Sequence, residues 1–116
     1  MSELNVQISD VSDKAAEIII FEGEMDEDSI ENFKKTIDGS LNDVNIKNLI
    51  FDLSGLEFIN SKGIGYLVSV YTHLSKDHRQ LIITSAKEVV MDVISLVGLT
   101  SIIKYYDTTE EALASL

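Results

Sequence analysis

The pattern of apolar and polar positions changes along the chain and predicts a mixed sequence of strands and helices. Residues 4–8 alternate strictly between apolar and polar, and residues 16–21 form a run rich in β-branched side chains. Both patterns are typical of strands. The short connection between them contains the turn signal Asp10-Val11-Ser12-Asp13, so we expect the two strands to pair antiparallel.

Beyond residue 21, helical and strand patterns alternate. Strands are predicted at residues 49–53, ended by Ser54-Gly55, and at residues 81–84 and 102–105. Apolar residues at spacings of three and four predict three helices. The three apolar faces are Ile30, Phe33, Ile37 and Leu41; Ile64, Leu67, Val68, Tyr71 and Leu74; and Val89, Val90, Val93 and Val97.

The ends of these helices carry recognisable signals. Asp26, Asp28 or Ser29 is expected to cap the first helix, and Gly98 to terminate the third. Thr108 and Glu111 match a capping box, which predicts a fourth helix running through residues 113–116.

The resulting order is β-β-α-β-α-β-α-β-α. Strands that alternate with helices form parallel sheets through right-handed crossovers. We therefore predict an α/β fold with a mixed, mostly parallel sheet of about five strands and about four helices. No linker or repeat divides the 116 residues, so residues 1–116 are expected to be a single domain.

Charge and composition exclude several classes of function. The net charge of −11 opposes binding to nucleic acids and to anionic membranes. There is no cysteine, and His73 and His78 are spaced too poorly to share a helix face, so no metal or other cofactor is expected. With no signal peptide and no apolar run long enough to cross a bilayer, the sequence predicts a cytoplasmic protein.

Motifs for enzymatic chemistry are incomplete. Gly63-Ile64-Gly65 begins like a dinucleotide-binding fingerprint, but position 68 is valine, and no phosphate-binding loop or nucleophile elbow occurs. Glu22, Glu24 and Asp26 alternate at the end of the second strand. They have three interpretations: a site for a hard cation or acid–base chemistry, a solvated strand end, or a surface that recognises a basic partner.

Residues 51–65 are the most informative stretch. A strand ends here and a helix begins near Asn60, a good N-cap residue, which places Ser61 in the first helical position. Gly63 and Gly65 each cost about 1 kcal/mol relative to alanine in a helix. Either a partner approaches the backbone closely there, or the glycines only permit tight packing of helix against sheet.

This stretch resembles the signature of the STAS domain, the fold of bacterial anti-sigma factor antagonists. The family pattern is an Asp-Leu-Ser-like strand end, an apolar pair, and Asp-Ser-[Ser/Thr/Ala]-Gly-[Leu/Ile]-Gly. The chain has Asp52-Leu53-Ser54, Phe58-Ile59 and Asn60-Ser61-Lys62-Gly63-Ile64-Gly65. Gly23-Glu24-Met25-Asp26 and Val97-Gly98-Leu99 are similar to two further family elements.

The resemblance implies a non-enzymatic, phosphorylation-switched binding module. In this family the unphosphorylated antagonist sequesters an anti-sigma factor that is a serine kinase, the kinase phosphorylates the serine matching Ser61, and a serine phosphatase reverses the switch. A phosphate adds about −1.5 to −2 charge and would lie at a helix N-terminus. The implied partner-binding residues are Glu24, Asp26, Asn60, Ser61, Lys62, Gly63 and Ile64.

Two positions depart from the family pattern. Asn60 stands where the family has aspartate, and Lys62 stands where it has a small residue. These departures leave open an unswitched STAS scaffold, or an accessory subunit of a signalling or transporter complex. A nucleotide-binding protein that uses Gly63 and Gly65 as a phosphate cradle is a third alternative.

Overall fold

The computed structural model describes residues 3–116 as a five-stranded sheet with four α-helices. The strands are β1 (Leu4–Val11), β2 (Ala16–Met25), β3 (Asn48–Ile59), β4 (Gln80–Thr84) and β5 (Lys104–Tyr106). The helices are α1 (Glu27–Leu41), α2 (Ser61–Ser75), α3 (Glu88–Leu96) and α4 (Thr109–Ala114). Two 3₁₀ turns, Ser12–Lys14 and Leu99–Ser101, complete the described chain.

The strands lie side by side in the order of the sequence, β1-β2-β3-β4-β5. β1 pairs antiparallel with β2, and every later pair is parallel. The predicted α/β class, the mixed sheet and the order of elements are therefore confirmed. Within residues 3–116, no helix combines the length and the apolar character needed to cross a membrane.

Most of the core lies between one face of the sheet and the helices α1, α2 and α3. The predicted α1 face is buried as a whole: Ile30, Phe33, Ile37 and Leu41 are each at most 8% exposed. Phe21 contacts both Phe33 and Phe51 edge to face, with ring centroids 5.7 and 4.8 Å apart. These contacts fix α1 against the centre of the sheet.

The opposite face of the sheet carries α4. Ala112 packs there with Ile50 and Ile82. Beside them, Asp52 Oδ2 accepts a hydrogen bond from Thr109 Oγ1 at 2.8 Å, and Thr109 Oγ1 lies 2.7 Å from Thr84 Oγ1. The aspartate of the Asp52-Leu53-Ser54 motif therefore links the start of α4 to the sheet through Thr109.

The prediction that Ser54-Gly55 ends the third strand is wrong. β3 continues to Ile59 because β2 keeps pairing with it through two register shifts. At Gly55 a Cβ atom would lie 2.7 Å from the Phe21 carbonyl oxygen, so glycine permits the close approach of the two strands. The extension carries β3 to the start of α2.

Three other element predictions need correction. The buried face of α3 is formed by Val90 and Ile94, with Val93 packing partly against the core. Val89 lies off this stripe and Val97 lies beyond the last helical residue, Leu96, and each is 56% exposed. β5 begins only at Lys104, since residues 102 and 103 form the turn that follows the 3₁₀ segment Leu99–Ser101. α4 ends at Ala114 rather than continuing to residue 116. Gly98 does terminate α3 as predicted, with φ of +77°.

Candidate functional site

Two helix N-termini meet at the carboxyl ends of β2 and β3. Met25 and Ile59 are register partners at the ends of these parallel strands. Each strand then passes into a helix after one capping residue, Asp26 for α1 and Asn60 for α2. The backbone N–H of Asn60 donates to the Met25 carbonyl at 3.2 Å, which holds the two caps side by side.

Asp26 caps α1. Its carboxylate oxygen accepts the backbone N–H groups of Asp28 and Ser29, each at 3.1 Å, and Ser29 Oγ accepts the N–H of Asp26 at 3.0 Å. This reciprocal arrangement is a capping box with serine at its third helical position. Of the three caps that the sequence allowed, the structure therefore selects Asp26.

Asn60 caps α2 and also links the two helices. Its side-chain oxygen accepts the N–H groups of Lys62 and Gly63, each at 3.1 Å. Its amide nitrogen donates to Glu27 Oε2 at 3.3 Å. An aspartate would keep the cap but has no N–H to donate, so the asparagine makes a contact that the family's usual residue cannot make.

Glu27 is a site residue that the sequence analysis missed. It follows the Asp26 cap and reads as an ordinary acidic residue in the first turn of a helix. Only the register of Met25 with Ile59 brings it to Asn60, and that register depends on the two shifts between β2 and β3. No sequence signal specifies those shifts.

Ser61 is the first residue of α2 and is exposed to solvent. The next residue, Lys62, is also exposed and makes no ion pair with any residue in 3–116. Ile64 is half-buried against the core, so only part of its side chain faces outwards. The surface available to another molecule at this point therefore consists mainly of Ser61 and Lys62.

The two glycines of the motif have different surroundings. A Cβ atom on Gly63 would lie 2.7 Å from Ile59 Cγ1 and 2.8 Å from the Met25 carbonyl oxygen. Gly63 is buried and permits α2 to pack tightly on the sheet, which supports the packing interpretation at this position. A Cβ atom on Gly65 would meet nothing within 4 Å, so packing does not explain Gly65.

Carboxylates surround the paired helix ends. Glu22 and Glu24 are both exposed, whereas Asp26 is half-buried and engaged in its cap. Within residues 3–116, no group of three or more His, Cys, Asp or Glu side chains is arranged to hold a metal ion. The paired helix starts thus combine the negative charges of Glu24, Asp26 and Glu27 with the positive charge of Lys62.

The groups around Ser61 determine which interactions a phosphate on this residue would make. Asn60 already accepts the second and third N–H groups of α2, so those groups are not available to bind phosphate. The helix dipole and the Lys62 ammonium group remain favourable to the added charge. The carboxylates of α1 and β2 oppose it, so phosphorylation would make this surface strongly negative.

The family model for the STAS domain matches residues 7–112. The chain belongs to the STAS domain family. Its fold is shared by an anti-sigma factor antagonist from Mycobacterium paratuberculosis, which is 23% identical with a TM-score of 0.85 over 97% of this chain and 92% of that chain.

Two further STAS-like structures share the fold at low identity. The phosphorylated form of the Bacillus cell fate determinant SpoIIAA is 21% identical, with a TM-score of 0.73 over 96% of this chain and 98% of that chain. An anti-sigma-factor antagonist (STAS) domain protein from Planctomyces limnophilus is 19% identical, with a TM-score of 0.79 over 99% of this chain and 98% of that chain.

Proposed function

We propose that this STAS domain is an anti-sigma factor antagonist that acts by binding, not by catalysis. Its partner is an anti-sigma factor that is also a serine kinase, and Ser61 is the residue that this kinase phosphorylates. The observation that carries the proposal is the exposed Ser61 hydroxyl at the start of α2, beside the capped start of α1. The structural similarity to proteins named as anti-sigma factor antagonists supports it.

The binding surface of the proposal is the pair of helix starts. It comprises Glu24, Asp26, Asn60, Ser61, Lys62, Gly63 and Ile64, together with Glu27. Buried Gly63 contributes by holding α2 close to β2 rather than by direct contact. The acidic groups match a partner with a basic patch, because complementary charge accelerates association and orients the two proteins.

The switch follows from charge. Transfer of the γ-phosphoryl group of ATP to Ser61 Oγ releases the hydroxyl proton to a base of the kinase and ADP as the leaving group. The phosphate adds about −1.5 to −2 charge at neutral pH, next to carboxylates that the partner has to approach. The complex then dissociates, and hydrolysis by a serine phosphatase restores the hydroxyl.

The experiment measures binding to the serine-kinase anti-sigma factor encoded nearest to this chain's gene. By isothermal titration calorimetry with ADP present, Ser61→Asp is expected to weaken binding at least tenfold, and Ser61→Ala to bind like the unsubstituted protein. After incubation with ATP, mass spectrometry should locate one phosphate on Ser61. Ser75→Ala, at an exposed serine at the other end of α2, is the matched control.

The outcomes separate the proposal from an unswitched scaffold. Binding without phosphorylation would favour the scaffold, with Asn60 and Lys62 as the residues that block the kinase. Phosphate found only on another residue would rule out Ser61 as the switch. An absence of binding would contradict the antagonist role itself.

A further inference from the structure

A groove of about 520 Å³ separates α1 from α2 and begins at the proposed switch. At one end it is lined by Glu27 and Lys62, and at the other by Leu41 and His73. From Glu27 to Leu41, α1 advances about 21 Å at 1.5 Å per residue. The groove is therefore a long channel on the surface, continuous with the region around Ser61.

The two walls of the groove differ in charge and size. The α1 wall presents the exposed carboxylates of Glu27, Glu31 and Asp38, against one lysine, Lys34, whose Nζ lies 3.9 Å from Glu31 Oε1. The middle of the α2 wall combines the small residues Gly65 and Ser69 with larger ones, and Lys62 and His73 lie at its ends. Its members are Lys62, Gly65, Tyr66, Ser69, Val70 and His73.

Packing within the fold does not explain why the groove residue at position 65 is glycine. Its surroundings would accept a side chain without contact, and glycine costs about 1 kcal/mol relative to alanine inside a helix. The missing side chain leaves the α2 backbone accessible midway along the groove. An approaching helix can pack closely against such a position, as small residues allow elsewhere.

Tyr66 is the largest side chain on the α2 wall of the groove. Its ring packs edge to face on Phe33, with centroids 5.4 Å apart, and its buried hydroxyl has no hydrogen-bond partner among residues 3–116. Burial and the nearby Asp38 carboxylate raise the pKa of Tyr66, so the hydroxyl keeps its proton at neutral pH. Because the hydroxyl is buried, Tyr66 contributes to the groove lining through its ring and not through its hydroxyl.

We propose that this groove receives an amphipathic helix of the anti-sigma factor, with lysine or arginine facing α1 and small or apolar residues facing α2. The inference rests on the proposed function, because it assigns the groove to the same partner. The acidic α1 wall supplies the charge complementarity, and the groove continues directly from Glu27 and Lys62 at the switch surface.

Other occupants fit the groove less well. Two copies of this chain each carry a net charge of −11, so a second copy would bring more negative charge to an acidic wall. Pockets for small molecules are mostly apolar and enclose their ligand. Here seven of the twelve lining residues are charged or titratable: Glu27, Glu31, Lys34, Asp38, Lys62, Tyr66 and His73.

The test fills the groove without disturbing the fold. Gly65→Gln is expected to keep or raise the urea midpoint and to weaken binding to the ADP-bound kinase at least tenfold by calorimetry. Gly39→Gln is the matched control, since Gly39 is also an exposed helical glycine with open space where a side chain would stand, but it does not line the groove. We expect its affinity to stay within twofold of the unsubstituted protein.

A second pair of variants tests the charge of the groove. Asp38→Asn is expected to slow association with the kinase about threefold at low salt, with the difference disappearing at high salt. Asp92→Asn removes an exposed carboxylate from α3 and should leave the association rate unchanged. Stopped-flow fluorescence over a salt series measures both rates.

Each result decides the inference. If the unsubstituted protein binds the kinase and Gly65→Gln binds equally well, the groove proposal is wrong while the role of Ser61 stands. If Gly65→Gln alters self-association in light scattering but not kinase affinity, the occupant is a second copy and the proposal is wrong. If the unsubstituted protein does not bind the kinase, both proposals fail.

Discussion

The two ends of the sheet hold their polar groups in opposite ways. At the carboxyl end, Asp26 and Asn60 cap two helices, and Ser61 and Lys62 stand exposed beside them. At the amino end, polar groups are buried, with Glu17 7% and Arg79 4% exposed. The first arrangement leaves polar side chains accessible at the surface, whereas the second uses polar groups to hold the fold together.

The buried end secures the last turn of α1. Arg79 Nη2 donates to the Leu41 carbonyl at 2.7 Å and to Asp77 Oδ2 at 3.0 Å, and Nη1 donates to the Asp43 carbonyl at 3.1 Å. Carbonyl groups at the C-terminus of a helix have no partner within the helix. One buried arginine thus satisfies groups that would otherwise lack a partner.

The largest expected effect is at Arg79. Arg79→Ala removes the donors to these carbonyls and opens a cavity, so the free energy of unfolding should fall by about 3 kcal/mol. Urea unfolding followed by circular dichroism measures the change. Lys76→Ala, at an exposed residue nearby, should change it by less than about 0.5 kcal/mol.

The same variant tests whether the two ends have separate roles. Well below its unfolding midpoint, Arg79→Ala should still be phosphorylated on Ser61 at the rate of the unsubstituted protein. A large fall in that rate under folding conditions would show that the amino end also shapes the switch, and the comparison drawn above would then be wrong.

The next effect concerns the pH dependence of stability at Glu17. Ser40 Oγ donates to its carboxylate, and Asp10 stands opposite it in the β1–β2 register. Burial raises the pKa of Glu17 above its usual value of 4.5, and the charges of Asp10 and Asp43 add to the shift despite the Ser40 hydrogen bond. The folded protein therefore holds this proton more tightly than the unfolded chain does.

The sign follows from that difference in proton binding. Stability from Glu17 is present at low pH and is lost as pH rises from about its unfolded pKa through its raised folded pKa. Glu17→Gln places an uncharged side chain here and keeps an acceptor for Ser40. The free energy of unfolding of this variant, relative to that of the unsubstituted protein, should therefore increase with pH across this range. Urea titrations between pH 4 and pH 8 test this, and a difference independent of pH would contradict it.

Periodicity and turn chemistry predicted the framework of the fold because they are local properties. The α1 face, the antiparallel start and the Gly98 terminus all depend on residues a few positions apart. The continuation of β3 past Gly55 was not predictable, because it depends on Phe21 and Glu22, more than thirty residues away. Long-range pairing outweighed the local signal for a turn.

The candidate site divides in the same way. Asn60 as a cap and Ser61 at the first helical position followed from the sequence, because capping is local. The Asn60–Glu27 contact and the groove beside Gly65 depend on how two helices lie together, and no spacing within either helix specifies that. The least predictable contact is therefore the one that joins the two halves of the surface.

The smallest expected effect is at that contact. Asn60→Asp keeps an acceptor for the Lys62 and Gly63 N–H groups, so the α2 cap should survive. It replaces an amide donor with a second carboxylate facing Glu27, whose Oε2 lies 3.3 Å from the amide nitrogen. Since the contact between them is exposed to solvent, we expect a loss of less than about 1 kcal/mol in the free energy of unfolding, reduced by salt.

A double-mutant cycle with Glu27→Gln isolates the contact. In Asn60→Asp/Glu27→Gln the amide donor lies on the other side of the pair, so the hydrogen bond can form again with its direction reversed. The double variant should then lose about 0.5 kcal/mol less in the free energy of unfolding than the sum of the losses of the two single variants, as measured by urea unfolding. Strict additivity would mean that Asn60 and Glu27 do not interact, and that the bond from the Asn60 N–H to the Met25 carbonyl holds the two helix starts together without their help.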